Sequence, residues 1–242
     1  MDLALTDKTF IVTGGTSGLG LATARALTAE GAHTIINSRD TDRVQETVAT
    51  LRGSSSGVAG SLGDAATVEA LLAAASDRPS LDGALISVGG PPPGTVLSTS
   101  LEKWEEAFTT IYLGTLRLIR ELVPALSAGA AIGVVLSSSV KQPIPGLSIS
   151  NGLRPGLAMM IKDLADEIGP KGLRIFGLMP GLIATPRIQQ LQNAGSDHSG
   201  IPLRRIGEPR EFGDAAAFLL SPRASYITGS VIPIDGGALR SL

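Results

Sequence analysis

Short runs of β-branched and aliphatic residues alternate along this chain with longer stretches in which apolar positions recur at helical spacing. The first kind suits strands of a parallel sheet, and the second suits helices that cover its faces. Residues 9–12 predict a first strand and 19–30 its helix, stopped at Gly31, because glycine readily takes the conformation that ends helices. Residues 34–37 predict a second strand and 42–51 the next helix. A weaker third strand at 57–60 leads to Asp64, a candidate N-cap for a helix over 66–75. Strands at 84–88 and 132–136 flank one long helix over about 101–126. A helix ending near 168, a strand at 174–178, a helix over 208–220 and a strand at 230–234 complete the pattern.

Repeated strand–helix–strand units imply an α/β domain with helices on both faces of a parallel sheet. No repeat or linker interrupts the pattern, so residues 1–242 read as one domain. The polar segment 187–206 is the expected mobile lid over a small-molecule substrate.

Composition narrows the function classes. A chain with 43% hydrophobic and 17% charged residues can bury a sizeable core. With 3% aromatics, that core must come from Ala, Leu, Ile and Val. A net charge of −2 provides no basic footprint for nucleic acid. No stretch of about 18 uninterrupted apolar residues is present, so no membrane span is expected. The absence of cysteine removes disulfides, thiolate nucleophiles and Cys-ligated metals, and no metal site is expected. It also fits a reducing, cytoplasmic location. The N-terminal residues lack a basic start followed by an apolar run, so no signal peptide is read. The two histidines, His33 in the turn entering the second strand and His198 beside Asp197, are expected to be exposed loop residues. A Ser-His-Asp hydrolase would have to recruit one of them.

The most specific motif is Thr13-Gly14-Gly15-Thr16-Ser17-Gly18-Leu19-Gly20, which follows the first strand and opens the first helix. Glycines there permit a tight turn and close approach of a pyrophosphate, whose charge meets the free N–H groups of the helix N-terminus. Leu21 follows Gly20 where a Walker A loop would need Lys. The second strand ends in Asn37-Ser38-Arg39 rather than in an acidic residue that would bind ribose hydroxyls. An arginine there accommodates a 2′-phosphate, so the sequence favours NADP over NAD.

With these residues the chain resembles the short-chain dehydrogenase/reductase family, in particular its 3-oxoacyl-acyl-carrier-protein reductase-like members. The resemblance covers nearly the whole chain and implies a single Rossmann-type doubly wound sheet. The family's Thr-Gly-x-x-x-Gly-x-Gly is Thr13 to Gly20, and its Pro-Gly-x-Ile-x-Thr is Pro180-Gly181-Leu182-Ile183-Ala184-Thr185. The stretch from Gly207-Glu208-Pro209 to Asp235-Gly236-Gly237 is also similar to the family's. The implied cofactor contacts are Gly14, Thr16, Ser17, Gly18, Leu19, Gly20, Ser38, Arg39, Ser61, Leu62, Gly89, Pro180, Gly181, Ile183 and Thr185. The resemblance also implies a homo-oligomer, a tetramer or dimer, packed through the long helix and the one after Pro155.

The departures cluster elsewhere. The family's Asn-Asn-Ala-Gly is replaced by Ile86-Ser87-Val88-Gly89, the adenine-contacting Asp by Ser61, and the catalytic Asn by Ile111. Counting back without gaps from Pro180-Gly181, the catalytic Tyr falls on Ser150 and the Lys on Arg154. The catalytic Ser falls on Ser137, with Ser138 or Ser139 if the loop carries a deletion.

In the family, Tyr donates a proton to the substrate oxygen as hydride arrives, and the Lys ammonium lowers its pKa. Serine is a far weaker acid and a ring shorter. Arginine keeps its charge but does not readily exchange protons at neutral pH. Losing a positioned general acid typically removes about 10²–10⁴ in rate. Pro155 complicates the geometry, because proline suits the first turn of a helix. A helix starting at Pro155 leaves Ser150 and Arg154 before it; one starting near Ser150 places them at i and i+4 on one face. The sequence favours the later start.

Lys141, after the fifth strand, reads as a solvated lysine, and Tyr112 as a packing residue. Three functions remain open: an NADP-dependent oxidoreductase with altered proton delivery, a cofactor-binding protein without turnover, and a non-redox isomerase or cyclase in the same pocket.

Overall fold

The computed structural model describes residues 1–51, 55–191 and 199–241. Seven parallel strands are β1 (Thr9–Thr13), β2 (His33–Ser38), β3 (Ser55–Ala59), β4 (Gly83–Ile86), β5 (Ala131–Val135), β6 (Arg174–Pro180) and β7 (Val231–Ile234). They lie in the order β3-β2-β1-β4-β5-β6-β7. The connecting helices are α1 (Gly18–Ala29), α2 (Thr41–Thr50), α3 (Ala65–Ser76), α4 (Leu101–Ala107), α5 (Gly114–Ala125), α6 (Ser148–Ile168), α7 (Pro186–Leu191) and α8 (Pro209–Leu220). The α/β, doubly wound arrangement read from the sequence is therefore the one observed.

Central strands are apolar because both of their faces are covered. Phe10, Ile11 and Val12 of β1 and Ile132 of β5 are fully buried. Side chains of α3, α5 and α6 build the core on one face, while α1 and α8 build it on the other. Small residues let α1 and α8 approach closely: a Cβ added at Gly213 would lie 2.5 Å from the carbonyl oxygen of Ala22. The winding reverses between β1 and β4, and the chain segments leaving these strands part there to open a crevice. Thr13 ties the two exits together: its Oγ1 accepts from the Ser87 N–H at 2.8 Å and donates to the Ser87 carbonyl at 3.1 Å.

Several expectations need correction. Helix α6 begins at Ser148, not Pro155, which lies inside it. Burial of Ile149, Ser150, Leu153 and Arg154 against the sheet outweighs the proline's preference for a first turn. The long helix over 101–126 is interrupted by a π-helical turn at Phe108–Leu113. Asp64 occupies the N-cap position of α3, but its side chain makes no capping hydrogen bond. His33 is the buried first residue of β2, not an exposed loop residue, and its Nε2 lies 3.2 Å from Ser56 Oγ. His198 lies outside the described residues.

Candidate dinucleotide and substrate site

The exits of β1, β2, β4, β5 and β6 surround one cavity of about 950 Å³. It is lined by every predicted site residue except Gly20. That residue acts at one remove, because a Cβ on Gly20 would meet the Gly14 carbonyl oxygen at 2.3 Å. Gly14 and Gly18 have φ of +59° and +52°, the left-handed region that glycine takes without strain. Ser17 is the N-cap of α1, yet its side chain makes no capping bond. The first N–H groups of α1 therefore face the cavity without a side-chain acceptor, a site suited to an anion such as pyrophosphate. Thr185 closes this end from the opposite side, its Cγ2 3.3 Å from a Cβ built on Gly18.

At the end of β2, Ser38 and Arg39 line the cavity as expected, and Arg43 of α2 joins them. Arg43 could have been found from sequence: the Asp40 side chain caps α2 by accepting from the Arg43 N–H at 3.1 Å. That cap starts the helix where Arg43 returns toward Arg39. Asn37 is a further residue the sequence reading passed over. Its Nδ2 donates to the carbonyls of Val58 at 3.0 Å and Gly60 at 3.1 Å, fixing the turn that presents Ser61 and Leu62.

Gly181 matters for close packing, because its added Cβ would be 2.6 Å from Asp235 Cβ. The Asp235 carboxylate accepts from the N–H groups of Gly237 at 2.8 Å and Leu239 at 2.9 Å, holding the C-terminal segment against the cavity. This is a structural role for the Asp-Gly-Gly motif.

The far end of the cavity holds Ser137, Ser138, Ser150 and Arg154 beneath Ile111 of the π-helical turn. Ser139 is buried and does not line the cavity; its Oγ lies 3.1 Å from Ser150 Oγ and donates to the Ser150 carbonyl at 3.3 Å. Of the three serines that follow β5, Ser137 and Ser138 thus line the cavity. The Ser137 oxygen also accepts from the Ser139 N–H at 3.2 Å. Ser150 and Arg154 share the buried face of α6, one turn apart.

Arg154 has 5% of its surface exposed. Its Nη1 donates to the Val135 carbonyl, its Nη2 to the Val88 carbonyl at 3.3 Å, and its Nε has no partner. Burial pulls its guanidinium down to about 10, so it remains charged at neutral pH. Beside the serines, Asn151 makes two hydrogen bonds with the backbone of Ile144, both 2.9 Å. This pins a wall of the cavity that includes Gln142, Ile144 and Leu147. Tyr112 packs as expected, stacked on Phe108 at 5.3 Å, and Lys141 is exposed. Among the described residues no group of His, Cys, Asp and Glu could hold a metal, and no helix is long and apolar enough to cross a membrane.

Fold and cavity define a Rossmann-type α/β protein with a glycine-rich turn at the topological switch. The sequence model described as enoyl-(acyl carrier protein) reductase matches residues 14–238. Dehydrogenase/reductase SDR family member 4 of Sus scrofa is 31% identical over 249 residues, covering 98% of this chain and 89% of the relative. Its Homo sapiens counterpart is 32% identical, covering 96% and 88%. L-sorbose reductase of Gluconobacter frateurii, solved with NADPH and L-sorbose, superposes with a TM-score of 0.91 at 29% identity over 100% of both chains. The 3-ketoacyl-(acyl-carrier-protein) reductase of Brucella melitensis, solved with NADH, has a TM-score of 0.89 at 26% identity, covering 97% and 99%. The chain belongs to the short-chain dehydrogenase/reductase family, a family of oxidoreductases.

Proposed function

We propose that this protein is an NADP-dependent oxidoreductase acting on the carbonyl or hydroxyl group of a small molecule, with a proton route that does not use a tyrosine. The observation that carries the reading is the continuous cavity running from the glycine turn and Arg39 to Ser137 and Arg154. It offers a place for a dinucleotide and a substrate end to end, and its volume is within the usual range of ligand pockets. Bound NADP(H) supplies or accepts the hydride. The chain's own residues provide the rest: the α1 N-terminus for pyrophosphate, Arg39 and Arg43 for the 2′-phosphate, and the Ile183–Thr185 segment for the nicotinamide end. The family structure solved with NADPH supports the choice of NADP over NAD.

At the substrate end, Ser137 and Ser138 can hydrogen-bond a carbonyl oxygen, and Arg154 can stabilise charge that develops there. Neither is a strong proton donor at neutral pH. The proton then comes from water or from the substrate itself. Segment 187–206 is the proposed lid. Its described part includes Arg187, whose Nη2 donates to the Pro91 carbonyl at 2.5 Å, while 192–198 lie outside the described residues. Exposed Phe108 and Met159, on the Phe108–Leu113 turn and on α6, support the proposed homo-oligomer. A cytoplasmic location agrees with the cysteine-free composition.

The second reading, a cofactor-binding protein without turnover, is favoured by one feature. Ser150 turns its hydroxyl to Ser139. A carbonyl screen following NADPH absorbance at 340 nm separates the two readings. Turnover with any carbonyl supports the oxidoreductase; tight NADPH binding with no turnover across the screen supports the silent protein.

A further inference from the structure

Two buried arginines in this protein meet different surroundings. Arg174 spends its guanidinium on four carbonyls, those of Leu219, Leu220, Ser221 and Ile227, at 2.9 to 3.5 Å. Three of these close the C-terminus of α8, where the helix dipole is negative, so the fold itself balances that cation. Arg154 has no such balance. It holds only the exits of β4 and β5, its Nε–H lacks a partner, and it forms no ion pair among the described residues.

A second cation borders the same segment. Arg187 Nη2 donates to the carbonyl of Pro91, three residues beyond the Val88 carbonyl that Arg154 holds. Three residues span at most about 11 Å of extended backbone. A Cβ at Gly90, between those carbonyls, would sit 2.9 Å from Arg187 Nε. Arg187 too forms no ion pair among the described residues, and burial lowers its pKa.

The acids lining the cavity do not offset this pair. Asp235 is taken by two backbone N–H groups, and Glu106 is exposed on α4. One buried and one partly buried cation, both bonded to the 88–91 loop, leave a deficit of negative charge that a neutral sugar or ketone cannot fill. Apolar Ile111, Ile144 and Leu147 complete the lining nearby.

We propose that Arg154 and Arg187 form an anion site at the substrate end of the cavity, and that it binds the carboxylate of an oxo-acid or hydroxy-acid substrate. The reacting carbonyl then faces Ser137 and Ser138. This rests on the oxidoreductase reading, which leaves the substrate class open, and the anion site itself is testable apart from it. The same chemistry could instead serve the pyrophosphate of the dinucleotide, so the test must separate these sources.

Pyruvate, acetoacetate and levulinate, each against its methyl ester, are titrated calorimetrically into the protein with and without NADPH. At least one acid is expected to bind tenfold or more tighter than its ester. Arg187→Gln, at a partly exposed position, is expected to abolish that preference while leaving NADPH affinity within about twofold. Arg154→Lys, which keeps a charge if the buried site does not tolerate neutral variants, is expected to retain part of it. Equal binding of every acid and ester overturns the proposal. So does a tenfold loss of NADPH affinity in Arg187→Gln with acid binding unchanged, which assigns the guanidinium to the cofactor. Acid-selective binding in a protein that takes no NADPH supports the anion site and overturns the oxidoreductase reading instead.

Discussion

Ser150 and Arg154 stand one turn apart on the buried face of α6, yet their side chains serve different neighbours. The Ser150 hydroxyl lies 3.1 Å from Ser139 Oγ, while the Arg154 guanidinium reaches the carbonyls of Val135 and Val88. On the proposed alignment the two residues stand on the scaffold that carries Tyr and Lys in the family, and among the described residues no hydrogen bond joins their side chains.

Restoring the pair tests whether that scaffold is still competent. The double variant Ser150→Tyr, Arg154→Lys is expected to raise NADPH-linked reduction of simple ketones by at least tenfold, toward the factor of about 10²–10⁴ that a positioned general acid provides. Steady-state kcat reads this directly. An unchanged rate in a folded variant that binds NADPH would mean that Ile111 or the Pro91–Pro93 wall has also altered the chemistry.

The glycine turn is held by contact as well as by conformation. Gly20→Ala pushes a methyl group to 2.3 Å from the Gly14 carbonyl oxygen. Overpacking of this kind costs about 1–3 kcal/mol. A lowered thermal midpoint together with weakened NADPH binding is the expected outcome. Wild-type values for both would show that Gly20 is not the spacer described.

Arg39 and Arg43 should carry the cofactor preference together. Charge-assisted hydrogen bonds contribute about 1.5–3 kcal/mol each, so Arg39→Ala and Arg43→Ala should each weaken NADPH by tenfold or more and leave NADH nearly unchanged. Equal losses for both nucleotides would place these side chains elsewhere than at a 2′-phosphate.

Fold and nucleotide end were legible because their signals are local. Gly14 and Gly18 are constrained by backbone conformation, and strands such as Thr9–Thr13 declare themselves by a run of β-branched and aromatic residues. The substrate end was not legible because its determinants are tertiary. Pro155 marked a helix start by local rules, but burial of Ser150 and Arg154 moved the start to Ser148. Arg43 and Asn151 act through partners that the fold supplies, and Arg187 pairs with Pro91 across 96 positions of sequence. His33 read as a loop residue because a polar side chain at a strand start carries no burial signal of its own.

His33 gives the stability a pH dependence. Burial, and then the Arg78 charge, push its pKa below the ordinary 6.5. A base whose folded pKa is depressed binds its proton more readily when unfolded, so its contribution is complete above pH 6.5 and is lost as pH falls through the folded value. Urea midpoints measured at pH 7.5 and 5 should fall with acidity in the wild type and fall less in His33→Gln. Identical slopes in the two proteins would remove His33 as the cause.

The proposed function requires that the phosphate and nicotinamide contacts be kept while the proton-handling end is rebuilt. The most direct test is a calorimetric titration of the purified protein with NADPH and with NADH. NADPH is predicted to bind one per chain and at least tenfold more tightly than NADH. Failure to bind either nucleotide would contradict the account.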